Sequence, residues 1–398
     1  MANPSMYLGT TPIYGNYLGS TKIYNILTCS SSPPTPKTMT VVIDLTNSNP
    51  DTCCSYADDA ISMEAKSSAW DEFFGHYPVL FANGAEVVKL NPNNYAQDIN
   101  GNSVDITSGN AGDVMVAFPR RGLRLNTSED GNTLTISFTE AQNDSSFKYY
   151  AHQRGDTGFS TFYMGAYDGY VDSNGKLRSL SDKNPTASKT IGAFRTAAQL
   201  NGTGYEQFCF FQLLYLQCMY IMKYKSLNGQ TALGNGYVGG SAAQTTGTLN
   251  TNGLDYGSTA NQTTCMKFAG IENFWGNVSK WTDGCVTDNN RNILTTTTGF
   301  NDIGSSYEFT NSSGLSSNTS GHMITPQGTS EAGFVIKANG GNNSTYFSDY
   351  AVCNASGVAS FGGIYNSGLL VGPFYLYVSD SASAAYSVVG ARLSFFPI

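Results

Sequence analysis

Eight cysteines, three histidines and 29 Asp and Glu residues are the side chains that could hold a metal, act as nucleophiles or shuttle protons. The cysteines (Cys29, Cys53, Cys54, Cys209, Cys218, Cys265, Cys285 and Cys353) are scattered, unlike the dense framework of a small secreted domain, and most read as buried thiols. Cys53 and Cys54 are vicinal, and no C-x-x-C pair offers zinc-ligand spacing. His76, His152 and His322 are too few for an imidazole-rich centre. No G-x-S-x-G elbow, phosphate-binding loop or H-E-x-x-H helix occurs. Asp44, Asp58, Asp59 and Glu64 could work as a glycosidase pair only at a defined separation, which position along a chain does not give. Calcium-dependent sugar binding calls for a compact cluster of acid and amide oxygens, yet the C-terminal stretch offers only Asp349 and Asp380 as acids. The expectation is a protein with no catalytic residues, no metal and no cofactor.

What the chain carries instead is contact chemistry: 25 Tyr, 22 Phe and 43 Gly, with charged residues at only 13%. Tyr supplies large contact area at modest entropic cost, while Ser, Asn and Gly around it supply adaptable hydrogen bonds. So many aromatics with so little charge exclude a disordered chain. The net charge of −8, with only 21 Lys and Arg, lacks the clustered cations that bind phosphate backbones, so nucleic acid is excluded as a partner. The first residues have neither a charged start nor a long apolar core, so no secretory signal is expected and folding in a cytosol is. Phe208 to Tyr224 resembles a membrane span but is broken by Gln212 and Gln217 and flanked by Glu206, Lys223 and Lys225. It reads as a helix buried in a large core, with no membrane insertion.

The elements that must position these groups begin with a short repeat, Tyr7 to Tyr14 returning as Tyr17 to Tyr24. Two copies cannot bury a face by stacking, so they are expected to pair with a neighbouring subunit or larger assembly. Ser30 to Pro36 reads as a linker. Strands are expected at Val41 to Leu45, Val114 to Phe118, Leu134 to Phe138 and Phe159 to Tyr167, with a short helix around Ser62 to Phe74. A further helix is expected over Pro185 to Ala198, with Ile191, Phe194 and Ala198 on one face, before the long helix at Glu206 to Tyr224. From Leu227 to Asn343 the Gly-, Asn-, Ser- and Thr-rich chain reads as ordered loop anchored by Phe274, Trp275 and Trp281, which pack a core. Val358 to Gly362, Gly372 to Val378 and Ala391 to Phe396 then read as short strands between turns. The resulting division is residues 1–36 as an N-terminal arm, 37–139 as a small β-rich domain and 140–398 as the main domain.

Three segments in order, Phe162-Tyr163-Met164-Gly165-Ala166-Tyr167, Gly270 to Trp281 (GIENFWGNVSKW) and Gly390-Ala391-Arg392-Leu393, resemble the C-type lectin fold. The G-N-V-x-x-W element and closing G-x-R-L strand resemble its formylglycine-generating-enzyme branch, which also hosts the variable proteins of diversity-generating retroelements. Tyr346 to Tyr350, Phe361 to Gly368, Gly372 to Tyr375 and Gly390 to Phe395 are similar to the variable region of phage receptor-binding tail proteins. The resemblance implies an α+β chain: a C-type-lectin-like domain preceded by a small mostly β domain and an attachment arm. It implies a virion tail-fibre or tail-tip protein, no enzyme, that binds a bacterial surface protein or glycan. Other tail proteins would be partners, and the assembly a homotrimer. It places the ligand-binding surface at about 345–396, on Ala351, Val352, Ile364, Tyr365, Asn366, Leu369, Leu370, Tyr377, Ser379, Tyr386, Ser387 and Val388. Gly362, Gly363, Gly368, Gly372, Pro373 and Gly390 would set the turns between them. A non-diversified adhesin or structural tail protein of the same fold is the alternative, and a divergent oxidase a more distant one. The oxidase relatives need paired C-terminal cysteines, whereas Cys353 is the only cysteine after Cys285.

Overall fold

The computed structural model describes residues 35–397 and, ahead of them, the backbone of four short strands. Contacts divide the chain into Met1–Lys37 and Thr38–Ile398. In the first unit Tyr14–Leu18 pairs antiparallel with Thr21–Asn25, and Tyr7–Leu8 with Thr11–Pro12. The strands of the repeat thus pair locally, since closing a short hairpin costs little chain entropy. Cys29 and the linker reading, except Thr35 and Pro36, lie outside the described residues.

The second unit is mixed and mostly β, with 33% of the chain in strands against 12% in helices, an α+β composition. Its centre is the helix Phe210–Tyr224, every residue of which is buried. A helix apolar on all faces must be covered from all sides. The polar residues that break its apolar run are tied individually: Gln212 donates to Ser394 Oγ at 2.6 Å, and Gln217 to the Pro373 carbonyl at 2.8 Å. Lys223 pairs with Asp71 at 2.5 Å and Asp255 at 2.6 Å. Glu206 falls in a short strand, Tyr205–Gln207, ahead of the helix. Among the described residues no helix is long and apolar enough to cross a membrane. Thr190 accepts from Ala193 N at 3.1 Å and caps a second helix, Ile191–Gln199, which buries Ile191, Phe194 and Ala198.

Three sheets cover the long helix. The four-stranded one orders Gly122–Thr127, Thr133–Thr139, Thr38–Asp44 and Cys54–Asp58. A seven-stranded sheet includes Tyr77–Ala82, Asp113–Pro119 and Thr161–Gly165, and admits the C-terminal strand Leu393–Phe395 between Thr161–Gly165 and Tyr205–Gln207. The third is nine-stranded. The expected division at 139/140 is therefore no break, because Asp113–Pro119 pairs with Thr161–Gly165 across it. Tyr215 of the helix packs against Phe74, Phe118 and Phe138 from one side of that boundary and Phe162 from the other.

The region 227–343 is also more regular than its composition suggests. It contributes Ser279–Thr287 near the middle of the nine-stranded sheet and Thr319–Pro326 towards its edge. All nine residues of Ser279–Thr287 are buried, and a strand covered on both faces loses the alternation that would reveal it. Trp275 and Trp281 are wholly buried and Phe274 almost so, as scaffold. The seven described cysteines are all buried free thiols.

One buried acid gives a stability signature. Asp349 is wholly buried; its Oδ2 accepts from Phe374 N at 2.7 Å while Oδ1 has no partner. Burial raises its pKa well above the carboxylate range, against the Phe374 bond that lowers it. The folded state therefore holds the proton more tightly than the unfolded chain, and stability falls as pH rises from the ordinary carboxylate pKa towards the folded one. Asp349→Asn should remove that loss, so its stability advantage over the parent in urea should be larger at about pH 8 than at about pH 5. Parallel profiles would contradict this protonation state.

Candidate binding surface

Five strands of the nine-stranded sheet lie side by side in the order Ser279–Thr287, Val358–Phe361, Leu376–Asp380, Tyr350–Cys353 and Thr319–Pro326. Alternation along a strand sends successive side chains to opposite faces. Ala351, Cys353, Ala359, Phe361, Leu376 and Val378 point inward and join the core cluster that includes the long helix. The outward face is covered on one half: Trp281 and Val358 pack with Ala382, Ala384, Val388 and Val389 of the returning C-terminal segment. The other half is open, and there a row of half-buried rings forms. His322 faces Tyr350 at 5.8 Å between centroids, Tyr350 meets Tyr377 at 6.3 Å, and Tyr377 stacks on Tyr375 at 5.0 Å. The register makes the row, pairing His322 with Tyr350 and Val352 with Tyr377 across neighbouring strands. Burial raises the phenol pKa of Tyr375 and Tyr377, which stay neutral hydroxyl donors. Burial also raises Asp380, against bonds from Ser360 and Tyr386 that lower it.

Beside the row, the chain from Gly362 to Leu370 makes a loop whose backbone is fastened at both ends of its turn. Gly276 N donates to Gly362 O at 2.6 Å, Tyr365 N to Asn277 O at 2.8 Å, Gly240 N to Tyr365 O at 2.6 Å, and Gly368 N to Val238 O at 2.8 Å. Gly363 sits at φ 65° with its Cα against Val371: a Cβ there would lie 2.3 Å from Val371 Cγ2. None of these fastenings uses the side chains of Ile364, Asn366, Leu369 or Leu370. Asn366, Leu369 and Leu370 are exposed and Ile364 is partly so.

The floor under this surface is a buried ionic hub. Arg392 donates to Asp168 Oδ1 at 2.7 Å and to the carbonyls of Gly165 at 2.9 Å, Glu272 at 2.8 Å and Asn273 at 3.3 Å. Lys280 donates to Asn273 O at 2.7 Å and Gly276 O at 3.0 Å, and lies 3.5 Å from Asp168. Asn277 Nδ2 completes the ring on Asp168 Oδ2 at 2.9 Å. Burial pulls the Lys280 pKa down to about 8.

Against this geometry the nominated residues separate. Ser387 and Tyr386 are exposed, the latter with its ring stacked over Trp281 at 6.4 Å. Tyr377, Ser379, Tyr365 and Val388 are half-buried, with Tyr365 packed against Tyr237, Leu249 and Cys265. Ala351 and Val352 are corrections: they are 0% and 6% exposed. Ala351 faces the core, and Val352 lies on the outer face beside the rings of Tyr350 and Tyr377. Val352 is small and sits between those two larger rings, which leave it little exposed. The residues that reasoning from sequence missed are His322, Tyr350 and Tyr375. Tyr375 and Tyr377 share a face by the period of two, a signal present in Phe374-Tyr375-Leu376-Tyr377; nothing in the local sequence brings His322 to them. No protein-family model matches the chain, and no curated protein matches it.

Proposed function

We propose that this chain is a binding protein of the adhesive kind, in which a rigid frame presents exchangeable side chains. More particularly, it is a phage tail receptor-binding protein with a C-type-lectin-like domain of the formylglycine-generating-enzyme branch. Its ligand is a bacterial surface component, reached through the loop at 364–370, the ring row and the neighbouring Tyr386 and Ser387. The observation that carries this reading is the separation of roles in the loop: its backbone is held by bonds to 238–240 and 276–277 chain, with Ser367 and Tyr365 as side-chain supports, and the side chains of Ile364, Asn366, Leu369 and Leu370 are left out of that support. The assignment to the lectin-like branch draws support from the contact between the resembling segments, since Arg392 of the closing one reaches Gly165 of the first and Glu272 and Asn273 of the second.

The arm at 1–36 would join other tail proteins, and a homotrimer would raise avidity by placing weak sites together. Diversification adds one requirement, a near-copy of the DNA for about 345–396 that differs mainly at adenines. Its absence beside the gene leaves the same surface as that of a non-diversified adhesin. The functional test is binding of the labelled chain to a panel of bacterial strains. The chain should mark some strains and not others, and Leu369→Ser, Leu370→Ser and Tyr377→Ala should change that pattern, the two leucine changes with little change in melting temperature. Uniform or absent labelling, or a pattern indifferent to all three, would overturn the reading.

A further inference from the structure

A groove of about 620 Å³ includes Leu369 of the same loop in its lining. Half of its lining residues are Asn or Gln, and none is charged. Two of these amides, Gln230 and Asn235, are 4% and 8% exposed, and each is pinned by its nitrogen. Gln230 Nε2 donates to Val371 O at 2.7 Å; Asn235 Nδ2 donates to Asn261 O at 2.9 Å and Thr259 O at 3.2 Å. With the nitrogens held on backbone carbonyls, Gln230 Oε1 and Asn235 Oδ1 are left without protein donors, yet neither is sealed in the core. They are acceptors set in place before any ligand arrives, the preorganised arrangement that spares a ligand the cost of ordering its site. Around them the amides of Gln262 and Asn343 offer donors and acceptors not used within the described residues.

The chemistry selects the occupant. An ion finds no counter-charge here, and an apolar ligand would strand two near-buried acceptors, each at a real desolvation cost. A protein partner would draw on buried aromatic or Arg anchors, whereas Leu369 is the lone large apolar side chain in the lining. A neutral saccharide satisfies the groove: its hydroxyls donate to the pinned oxygens and accept from the free amides, and a sugar C–H face can rest on Leu369. The volume lies within the range of small-ligand sites. From this we infer that the groove formed by Gln230, Asn235, Gln262, Asn343 and Leu369 is a subsite for an uncharged oligosaccharide. As a statement about the receptor it rests on the adhesive reading; as a statement about binding it does not.

The test is calorimetric titration of the full chain with neutral probes, namely glucose, galactose, mannose and N-acetylglucosamine oligomers of about four to six units. An acidic hyaluronan fragment and a Gly-Ser peptide of similar length serve as the contrasting probes. At least one neutral oligomer should saturate, and the two contrasting probes should not. Gln262→Ala and Asn343→Ala, exposed enough to leave the fold alone, should each weaken that binding by about tenfold. Gln230→Met should abolish it, with the melting temperature recorded to separate loss of the acceptor from loss of the fold. No saturation by any neutral oligomer, equal binding of the acidic fragment, or binding untouched by both exposed variants would overturn the inference. The two readings fail separately. A chain that distinguishes strains but neither binds nor is displaced by neutral oligomers loses the saccharide subsite and keeps its adhesive role. A chain that labels no strain but binds an oligomer through Gln262 and Asn343 does the reverse.

Discussion

Arg392→Met is expected to destabilise the protein by about 3–5 kcal/mol in equilibrium urea unfolding, the range for removing one partner of a buried ion pair. The size follows from what is left behind. Arg392 is 2% exposed and Asp168 0%, so the carboxylate, left with Lys280 at 3.5 Å and Asn277 Nδ2 at 2.9 Å, cannot replace the guanidinium with water. Lys280, at 3.5 Å from Asp168, is already committed to the carbonyls of Asn273 and Gly276. The carbonyls of Gly165 and Glu272 would lose their guanidinium donor, and that of Asn273 would keep only Lys280. Met keeps the apolar stem of Arg but ends short of the guanidinium nitrogens, so the loss combines charge, hydrogen bonds and a small cavity. A change below about 1 kcal/mol would show that the hub is replaceable and that the three segments it joins are held by packing alone.

The second large effect lies in the loop. Gly363→Ala places a Cβ 2.3 Å from Val371 Cγ2 and 2.9 Å from Cγ1, at a backbone φ of 65°. Left-handed strain and overpacking together should cost about 2–5 kcal/mol. Val371 is fully buried and cannot swing away. Leu369→Ser and Leu370→Ser, a few residues on, should change stability by no more than about 0.5 kcal/mol, because exposed side chains away from caps and special backbone angles rarely do more. Thermal or urea unfolding of the three variants side by side reads the contrast. Equal costs would remove the division between frame and presented side chains.

How much of this was legible beforehand depends on where the information sits. The strand Thr133–Thr139 was visible because Leu134, Ile136 and Phe138 alternate onto one buried face. The helix Phe210–Tyr224 was visible because nothing but a core could accept so apolar a run. The absence of a boundary at 139/140 was not, because it depends on which aromatic rings surround Tyr215, a long-range fact. Ser279–Thr287 was hidden by its own complete burial, with Lys280 and Asp283 paired inside. In the binding surface, turn glycines marked the loop, but strand alternation alone does not say which neighbour covers a side chain. The resemblance places Val352 at the surface and omits Tyr350, two residues earlier on the same face, because a matched position does not tell which rings cover it. The amides of the groove are spread from Gln230 to Asn343, and only the folded chain gathers them.

The most direct test is a display library in which Ile364, Asn366, Leu369 and Leu370 are randomised together, beside a second in which Gly363, Gly372, Asp168 and Arg392 are. Each is sorted for protease resistance and then for binding to bacterial cells. The first library should survive proteolysis at close to the parent frequency and yield clones with altered strain preference, while the second should survive only as parental residues. If the loop library were lost to protease as completely as the frame library, the exposed residues would be part of the fold's support and the adhesive account would be wrong.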